Sequence, residues 1–328
     1  MDSRGAGVSD RCVAVLAGGL THEREVSLRS GRRLSAALRS VGVSVEEWDA
    51  DAALMTRLQH ERPDAVVIAL HGDQGEGGSI QTVLELLGVP YVGSDSHACR
   101  RAWDKPTAKA ELARSGLATP DWVVLPHSTF RELGAQAVLT AMVDRLGLPM
   151  MLKPDQSGSA LGAQVVRDAA DLPAAMVDCL AYGNTVLAER FVAGVEVAVT
   201  VIEHEHGPVA LPAVEIVPES GVYDYTSRYT AGLTDFHTPA RLDDRAGAAV
   251  ADLAVAAHRL LGLRDVSRTD AIVAPDGTPY FLEVNSSPGL TETSLLPMAS
   301  EAAGRSLGDI YATLVERAIA RAAGTSSP

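Results

Sequence analysis

Ala65-Val66-Val67-Ile68-Ala69-Leu70 is an unbroken apolar run, and no other segment constrains the fold of this chain as strongly. A strand with one wet face alternates apolar and polar residues, whereas a run apolar at every position fits a parallel strand covered on both faces. Val13 to Ala17 predicts a second such strand. Between the two, a helix from about Val26 to Arg39 gathers Leu28, Leu34, Ala37, Leu38 and the following Val41 on one face, and another helix is expected from Ile80 to Leu87. Strand, helix, strand, helix describes a doubly wound α/β unit, whose ligands sit at the carboxyl ends of the strands. Both strands end there in glycine turns, Gly18-Gly19 and His71-Gly72.

From about Ser96 the pattern changes. Asp104 to Ser115 reads as a helix, Trp122 to Leu125 as a strand, Thr129 to Leu146 as a helical region and Pro149 to Lys153 as a strand. The glycine-rich run Asp155 to Gly162 and the strand Ala163 to Val166 then make a hairpin with a flexible loop, followed by a helix at Leu172 to Ala181 and a strand at Val186 to Phe191. Further strands are expected at Val195 to Ile202 and Val209 to Val214, a polar aromatic loop from Val222 to Thr238, and helices at Asp244 to Leu261 and Leu307 to Ala322. With 328 residues this implies three domains, placed at 1–98, 99–192 and 193–328.

Lys+Arg 28 against Asp+Glu 42 leaves a formal charge of −14. Phosphate backbones and anionic membrane surfaces repel such a chain, so nucleic-acid and membrane roles are not expected. No apolar run approaches the roughly 18 residues that span a bilayer. Cys12, Cys99 and Cys179 are scattered, with neither disulfide nor metal spacing, and a cytoplasmic protein is expected. Only three of the basic residues are lysines, Lys105, Lys109 and Lys153, so each retained lysine draws attention to its chemistry.

Two strands, Arg268 to Val273 and Pro279 to Asn285, flank a Pro-Asp-Gly turn, a strong hairpin signal. Pairing Ala274 with Pro279 sets Asp270 opposite Glu283 and Arg268 opposite Asn285, all four on one face. Opposed carboxylates repel, and a divalent cation between them removes that penalty; oxygen ligands suit Mg²⁺ or Mn²⁺.

The loop Ser157 to Gly162 offers backbone N–H groups to phosphates, although no helix or Gly-Lys-Ser/Thr follows as in a P-loop. Lys153 ends the strand that feeds the loop, and Lys105 opens a helix; both can supply point charges to phosphate. His71 stands at the ligand edge of its strand. Glu25 lies at a helix start, where it serves equally as a charge favoured by the helix dipole. Tyr223, Tyr225, Arg228 and Tyr229 share one polar loop.

Taken in order, His22-Glu23-Arg24-Glu25-Val26-Ser27, Ala69-Leu70-His71-Gly72 with Gly75-Glu76-Gly77, Asp104-Lys105, Lys153-Pro154, Gly158-Ser159, Tyr223-Asp224-Tyr225 and Glu283-Val284-Asn285-Ser286-Ser287-Pro288-Gly289 resemble the D-alanine–D-alanine ligase family of the ATP-grasp superfamily. The resemblance covers Val13 to about Ala322. It implies a three-domain ATP-grasp fold and an ADP-forming ligase that makes D-alanyl-D-alanine for peptidoglycan through an acylphosphate, using ATP and Mg²⁺ or Mn²⁺, with two ions and a homodimeric assembly. It further implies Asp270, Glu283 and Asn285 as metal ligands; Lys105, Lys153, Gly158 and Arg228 around the ATP phosphates; and Glu189 and Glu196 at adenine and ribose. Glu25 would meet the first ammonium with His71 beside it, while Arg268 and the Gly289 N–H would hold the oxyanion. Ser294 and Leu295 would hold the second carboxylate, and Glu25, Ser159 and Tyr229 would close the lid loop. Arg228 stands where the family usually has lysine, and Ala160-Leu161 where it has Ser and Val. The runner-up reading is an ATP-grasp ligase for a different amino or hydroxy acid pair, sharing the nucleotide residues and differing in the acceptor pocket.

Overall fold

The computed structural model describes residues 11–230 and 232–325, apart from the side chains of Tyr229 and Thr325. The first unit runs β1 (Cys12–Ala17), α1 (Arg24–Ser40), β2 (Ser44–Asp49), α2 (Leu54–Glu61), β3 (Ala65–Ile68), α3 (Gly72–Glu76), α4 (Ser79–Leu87) and β4 (Tyr91–Val92). Its strands form a parallel sheet in the order β2-β1-β3-β4. Successive residues of β1 enter opposite cores: Val13, Val15 and Ala17 pack with Leu34 and Leu38 of α1, whereas Ala14 and Leu16 pack with Trp48, Leu58 and Leu84. Coverage on both faces is the doubly wound arrangement that the apolar runs predict. The residues after β1 and β3, Gly18 and His71, lie at the carboxyl edge.

Two helices follow, α5 (Ser96–Trp103) and α6 (Lys105–Arg114). Asp104 caps α6 by accepting from the Thr107 N–H at 2.8 Å, and Pro106 occupies its first turn, which fixes Lys105 at the helix start. The central unit comprises β5 (Trp122–Pro126), α7 (His127–Leu133), α8 (Ala135–Leu146), β6 (Met150–Pro154), β7 (Gln164–Val166), α9 (Leu172–Leu180) and β8 (Thr185–Arg190), with an antiparallel sheet β5-β8-β6-β7. Gly134, at φ +87°, splits the single helical region expected over 129–146 into α7 and α8.

The remainder runs β9 (Val195–His204), β10 (Gly207–Ala210), β11 (Val214–Pro218), α10 (Tyr225–Tyr229), β12 (Thr234–His237), α11 (Asp244–Leu260), β13 (Val266–Val273), β14 (Pro279–Asn285), α12 (Leu295–Ala302) and α13 (Leu307–Thr325). Six strands form one sheet, β12-β11-β9-β13-β14, with β10 paired to β9. The loop expected over 222–238 therefore holds a short helix and an edge strand.

Core membership cuts across the expected domain limits at 98 and 192. Ala98 and Ala102 of α5 and Ala108 and Leu112 of α6 pack with Phe281 and Val284 of β14, so these helices cover the six-stranded sheet and not the central one. Helix α13 returns to the first unit, where Ile310, Tyr311, Leu314 and Val315 pack beside Val13, Val67 and Val92. Buried Asp265 locks this return: Arg321 donates to both its oxygens at 2.7 Å, and the Gly93 N–H donates at 2.8 Å. No helix among the described residues is long and apolar enough to cross a membrane.

Candidate active site

A cleft of about 380 Å³ lies between the central and six-stranded sheets. Strand periodicity builds it. Met151 and Lys153, two apart on β6, share the face toward the cleft, and β8 sets Glu189 opposite Met151. From the other sheet come Glu196 of β9, paired with Ile272 of β13, and Leu282 and Glu283 of β14. Met151, Phe191, Val192, Ile272 and Leu282 give the cleft its apolar lining, and Lys105, Lys153, Arg228, Asp270 and Glu283 its charged lining.

All three lysines of the chain converge here. The Lys105 ammonium donates to the Ser157 carbonyl of the glycine loop at 2.7 Å and lies 3.4 Å from Glu283. Lys153 and Lys109 each stand 2.5 Å from a different oxygen of Glu189. Burial pushes the Glu189 carboxyl up, and Lys153 and Lys109 more than offset this, holding it below the ordinary carboxylate range. Burial likewise opposes ionisation of Glu283, yet Lys105, Lys153, Arg228 and Arg268 bring its pKa down to about 2. Burial carries Glu196 up to about 7 although Arg228 pulls the other way.

The carboxylate hairpin has the partners predicted from the sequence, reached by a different route. Next to the turn Val273 pairs with Pro279 and Ala271 with Phe281, one residue out from the expected register. A bulge between Asp270 and Ala271 then restores it, so that Asp270 faces Glu283 and Arg268 faces Asn285. The extra residue is Leu282. Phe281 and Val284, three apart, both point to the core, while the consecutive Leu282 and Glu283 both line the cleft. A regular strand would turn one of them away.

A second, smaller pocket of about 90 Å³ adjoins the cleft, and Tyr223 and Arg228 line both. The Arg228 guanidinium lies 4.3 Å from the Tyr223 ring centre, a stacked cation–π pair. Glu23, His71, Glu76, Ser159, Arg268, Asn285, Gly289, Ser294 and Leu295 form the walls. Arg268 forks onto Asp270 at 2.7 and 2.8 Å. The Asn285 amide spans Arg268, from which its oxygen accepts at 2.8 Å, and Glu76, to which its nitrogen donates at 3.3 Å. His71 accepts from Ser30 Oγ at Nε2 (2.8 Å), and its Nδ1 faces the Ser287 carbonyl at 3.3 Å; burial takes its pKa down to about 4, so the ring is neutral near pH 7. Burial and neighbouring Glu23 raise Glu76 to about 8. Gly289 lies close to Ser294: a Cβ there would come within 2.8 Å of Ser294 Oγ, which would have to move. Ser294 Oγ accepts from the Thr291 N–H at 3.0 Å at the head of α12.

One expected residue is misplaced. Glu25 is exposed and lines neither pocket; Glu23 does so instead and accepts a 2.5 Å hydrogen bond from Ser159 Oγ. Residues two apart on a helix point in nearly opposite directions. The buried stripe of α1 is Ser27, Ser30, Gly31 and Leu34, and stepping back four positions from Ser27 lands on Glu23. That spacing is readable in the sequence. The Tyr229 side chain, expected in the trio with Ser159, lies outside the described residues. Glu76, Lys109 and Leu282 were absent from the expected site. The first was hidden because a buried carboxylate has no sequence signature, and the last because bulges have none. Among the described residues no group of three or more His, Cys, Asp or Glu gathers around one point; Asp270, Glu283 and Asn285 provide two carboxylates and an amide.

Buried lysines facing an oxygen-donor hairpin across a cleft between two antiparallel sheets place this protein among the ATP-grasp enzymes. Residues 112–316 match the family model for the D-ala D-ala ligase C-terminus, and residues 44–94 that for the D-ala D-ala ligase N-terminus. The chain belongs to the D-alanine–D-alanine ligase family. It is 43% identical over 312 residues to the D-alanine–D-alanine ligase of Anaeromyxobacter dehalogenans (strain 2CP-C), covering 94% of this chain and 97% of that one. The ATP-complexed D-alanine–D-alanine ligase of Bacillus anthracis superposes with a TM-score of 0.80 at 26% identity, over 96% of this chain and 99% of that one. The VanG D-Ala:D-Ser ligase of Enterococcus faecalis gives 0.79 at 25%, over 94% and 99%.

Proposed function

We propose that this chain joins two D-alanine molecules at the expense of ATP. One observation carries the reading: a nucleotide-sized cleft and a small polar pocket meet at Arg228 and Tyr223, beside Glu283 and Arg268. A phosphoryl group at the end of the cleft is thereby brought to a carboxylate in the pocket. Phosphorylating the carboxylate converts a poor electrophile into one with a good leaving group; the amine of the second D-alanine, having lost a proton, then attacks the carbonyl carbon and expels phosphate.

The apolar lining of the cleft takes the base, with Glu189 and Glu196 toward base and ribose. Lys105, Lys153, Arg228 and the Gly158 backbone neutralise the phosphates. Glu23, in place of Glu25, faces the first ammonium, with neutral His71 beside it. Arg268 and the Gly289 N–H face the oxygen that becomes negative on attack, and Ser294 and Leu295 hold the second substrate. The Ser159–Glu23 bond draws the glycine loop over the junction, which excludes water from the acylphosphate.

Asp270, Glu283 and Asn285 fit a hard cation: all three offer oxygen, Glu283 is strongly ionised, and the fork to Arg268 leaves Asp270 lone pairs uncommitted. Bound there, Mg²⁺ or Mn²⁺, as one ion or two, would neutralise phosphate charge. The test is ADP release with Mg²⁺-ATP and D-alanine, D-serine, D-lactate or L-alanine, with products identified by mass. D-Alanyl-D-alanine from D-alanine alone is the expected result; turnover only with another acid would reassign the substrate.

A further inference from the structure

Lys109 has no place in the cleft wall. It is fully buried, one turn along α6 from Lys105 on the same face. Its ammonium lies 2.5 Å from Glu189 Oε1, on the side away from Lys153, and donates to Thr119 Oγ1 at 2.5 Å. The Thr119 hydroxyl in turn donates to the Phe281 carbonyl at 2.8 Å, and the Phe281 N–H donates to the Ala118 carbonyl at 2.9 Å. Phe281 precedes the extra residue Leu282, so residues 118–119 hold β14 where its ladder slips. The Trp122 ring closes over the ammonium at 5.2 Å. An apolar side chain would pack α6 against β14 without the cost of burying a charge. The cost points to a role in the site.

We propose that Lys109 is a positioning residue that fixes the base-reading carboxylate Glu189 on one side and, through Thr119, the bulged strand carrying Leu282 and Glu283 on the other. This rests on the reading of the larger cleft as the nucleotide site. Held between two ammonium groups, Glu189 is ionised, cannot swing, and presents an acceptor-only edge to the cleft. A base whose 6-substituent donates, as in adenine, is accepted; one whose 6-oxygen accepts, as in hypoxanthine, is repelled.

The experiment compares Mg²⁺-ATP and Mg²⁺-ITP binding by calorimetry, and D-alanine-dependent release of ADP and IDP, in the full-length wild type, Lys109→Met, Thr119→Val and Thr119→Ser. Lys109→Met is expected to lower the ATP-over-ITP binding ratio about tenfold, the scale of one charge-assisted hydrogen bond, with KM for ATP rising more than kcat falls. Thr119→Val is expected to raise the Mg²⁺ concentration for half-maximal ADP release about fivefold, and Thr119→Ser to restore it, since only the hydroxyl relay is lost. A purely structural Lys109 would lower melting temperature and shift both nucleotides alike. A folded Lys109→Met that keeps the wild-type ratio overturns the proposal; if that variant does not fold, an unchanged Mg²⁺ requirement in Thr119→Val overturns it. Wild-type protein that binds neither nucleotide sinks the nucleotide reading itself, a different result from an unchanged ratio.

Discussion

The Ser159 hydroxyl lies 2.5 Å from a Glu23 oxygen, a contact that spans 136 positions and ties the glycine loop to the start of α1. A hydrogen bond to an ionised carboxylate contributes about 1.5–3 kcal/mol. Glu23→Gln and Ser159→Ala are therefore expected to lower kcat/KM for D-alanine by roughly tenfold to a hundredfold. Glu25→Gln should leave it within about twofold, because an exposed charge away from the pocket contributes little. Equal losses at 23 and 25 would contradict the placement.

Glu283 and Asp270 face one another across the hairpin, and the ionised form of Glu283 is strongly favoured. Glu283→Gln keeps the shape and removes the charge. Turnover is expected to fall by a factor on the order of 10³, the scale of losing one principal electrostatic contact at a phosphoryl-transfer site. Near-normal ADP release at saturating Mg²⁺ would refute the assignment.

Arg228 stacks on Tyr223 where the two pockets meet. Arg228→Lys keeps the charge and loses the planar stack, so activity should fall about threefold, whereas Arg228→Ala should cost about a hundredfold. Steady-state kinetics with ATP as the varied substrate separates the two.

His71 titrates near 4 in the fold against 6.5 as an ordinary side chain, because burial disfavours its charged form. Between these values the unfolded chain binds the proton and the native chain does not. Stability contributed by His71 therefore rises as pH rises from about 4 to 6.5, is fully present above that, and is lost on acidification. Urea midpoints of the wild type should climb over this window, and those of His71→Gln should climb less. Parallel curves would mean that His71 is not the group responsible.

Asp265 is wholly buried between Arg321 and the Gly93 N–H. Asp265→Ala leaves the Gly93 N–H without its acceptor and removes the fork to the partly exposed Arg321, which keeps the Tyr91 carbonyl; it is expected to cost about 1–3 kcal/mol, seen as a lower urea midpoint. Because the pair lies outside both pockets, KM values measured well below the unfolding transition should hold.

What could be read from the residues divides along physical lines. The parallel sheet was legible because Ala65 to Leu70 is apolar at every position, a pattern with few alternative folds. Pairing of Asp270 with Glu283 was also legible, but only because an expected register one residue out was compensated by a bulge that no side-chain pattern announces. Period alone could have distinguished Glu23 from Glu25, since the seryl stripe of α1 runs back to 23. The short elements α10 and β12 escaped because local composition decides little over four or five residues; β12 exists through its pairing with β11. Lys109 stood out as one of only three lysines, but its partners Glu189 and Thr119 come together only in three dimensions.

The return of α13 to the first sheet bears on how the chain is made. During synthesis β1, β3 and β4 leave the ribosome long before Ile310, Tyr311, Leu314 and Val315 exist to cover Val13, Val67 and Val92. Helix α1 alone then covers that face of the nascent sheet, and the rest of it waits exposed through translation of both other sheets. Chaperone engagement should accordingly persist until the final helix emerges, and truncation behind Arg305 should expose the oldest part of the fold rather than the newest.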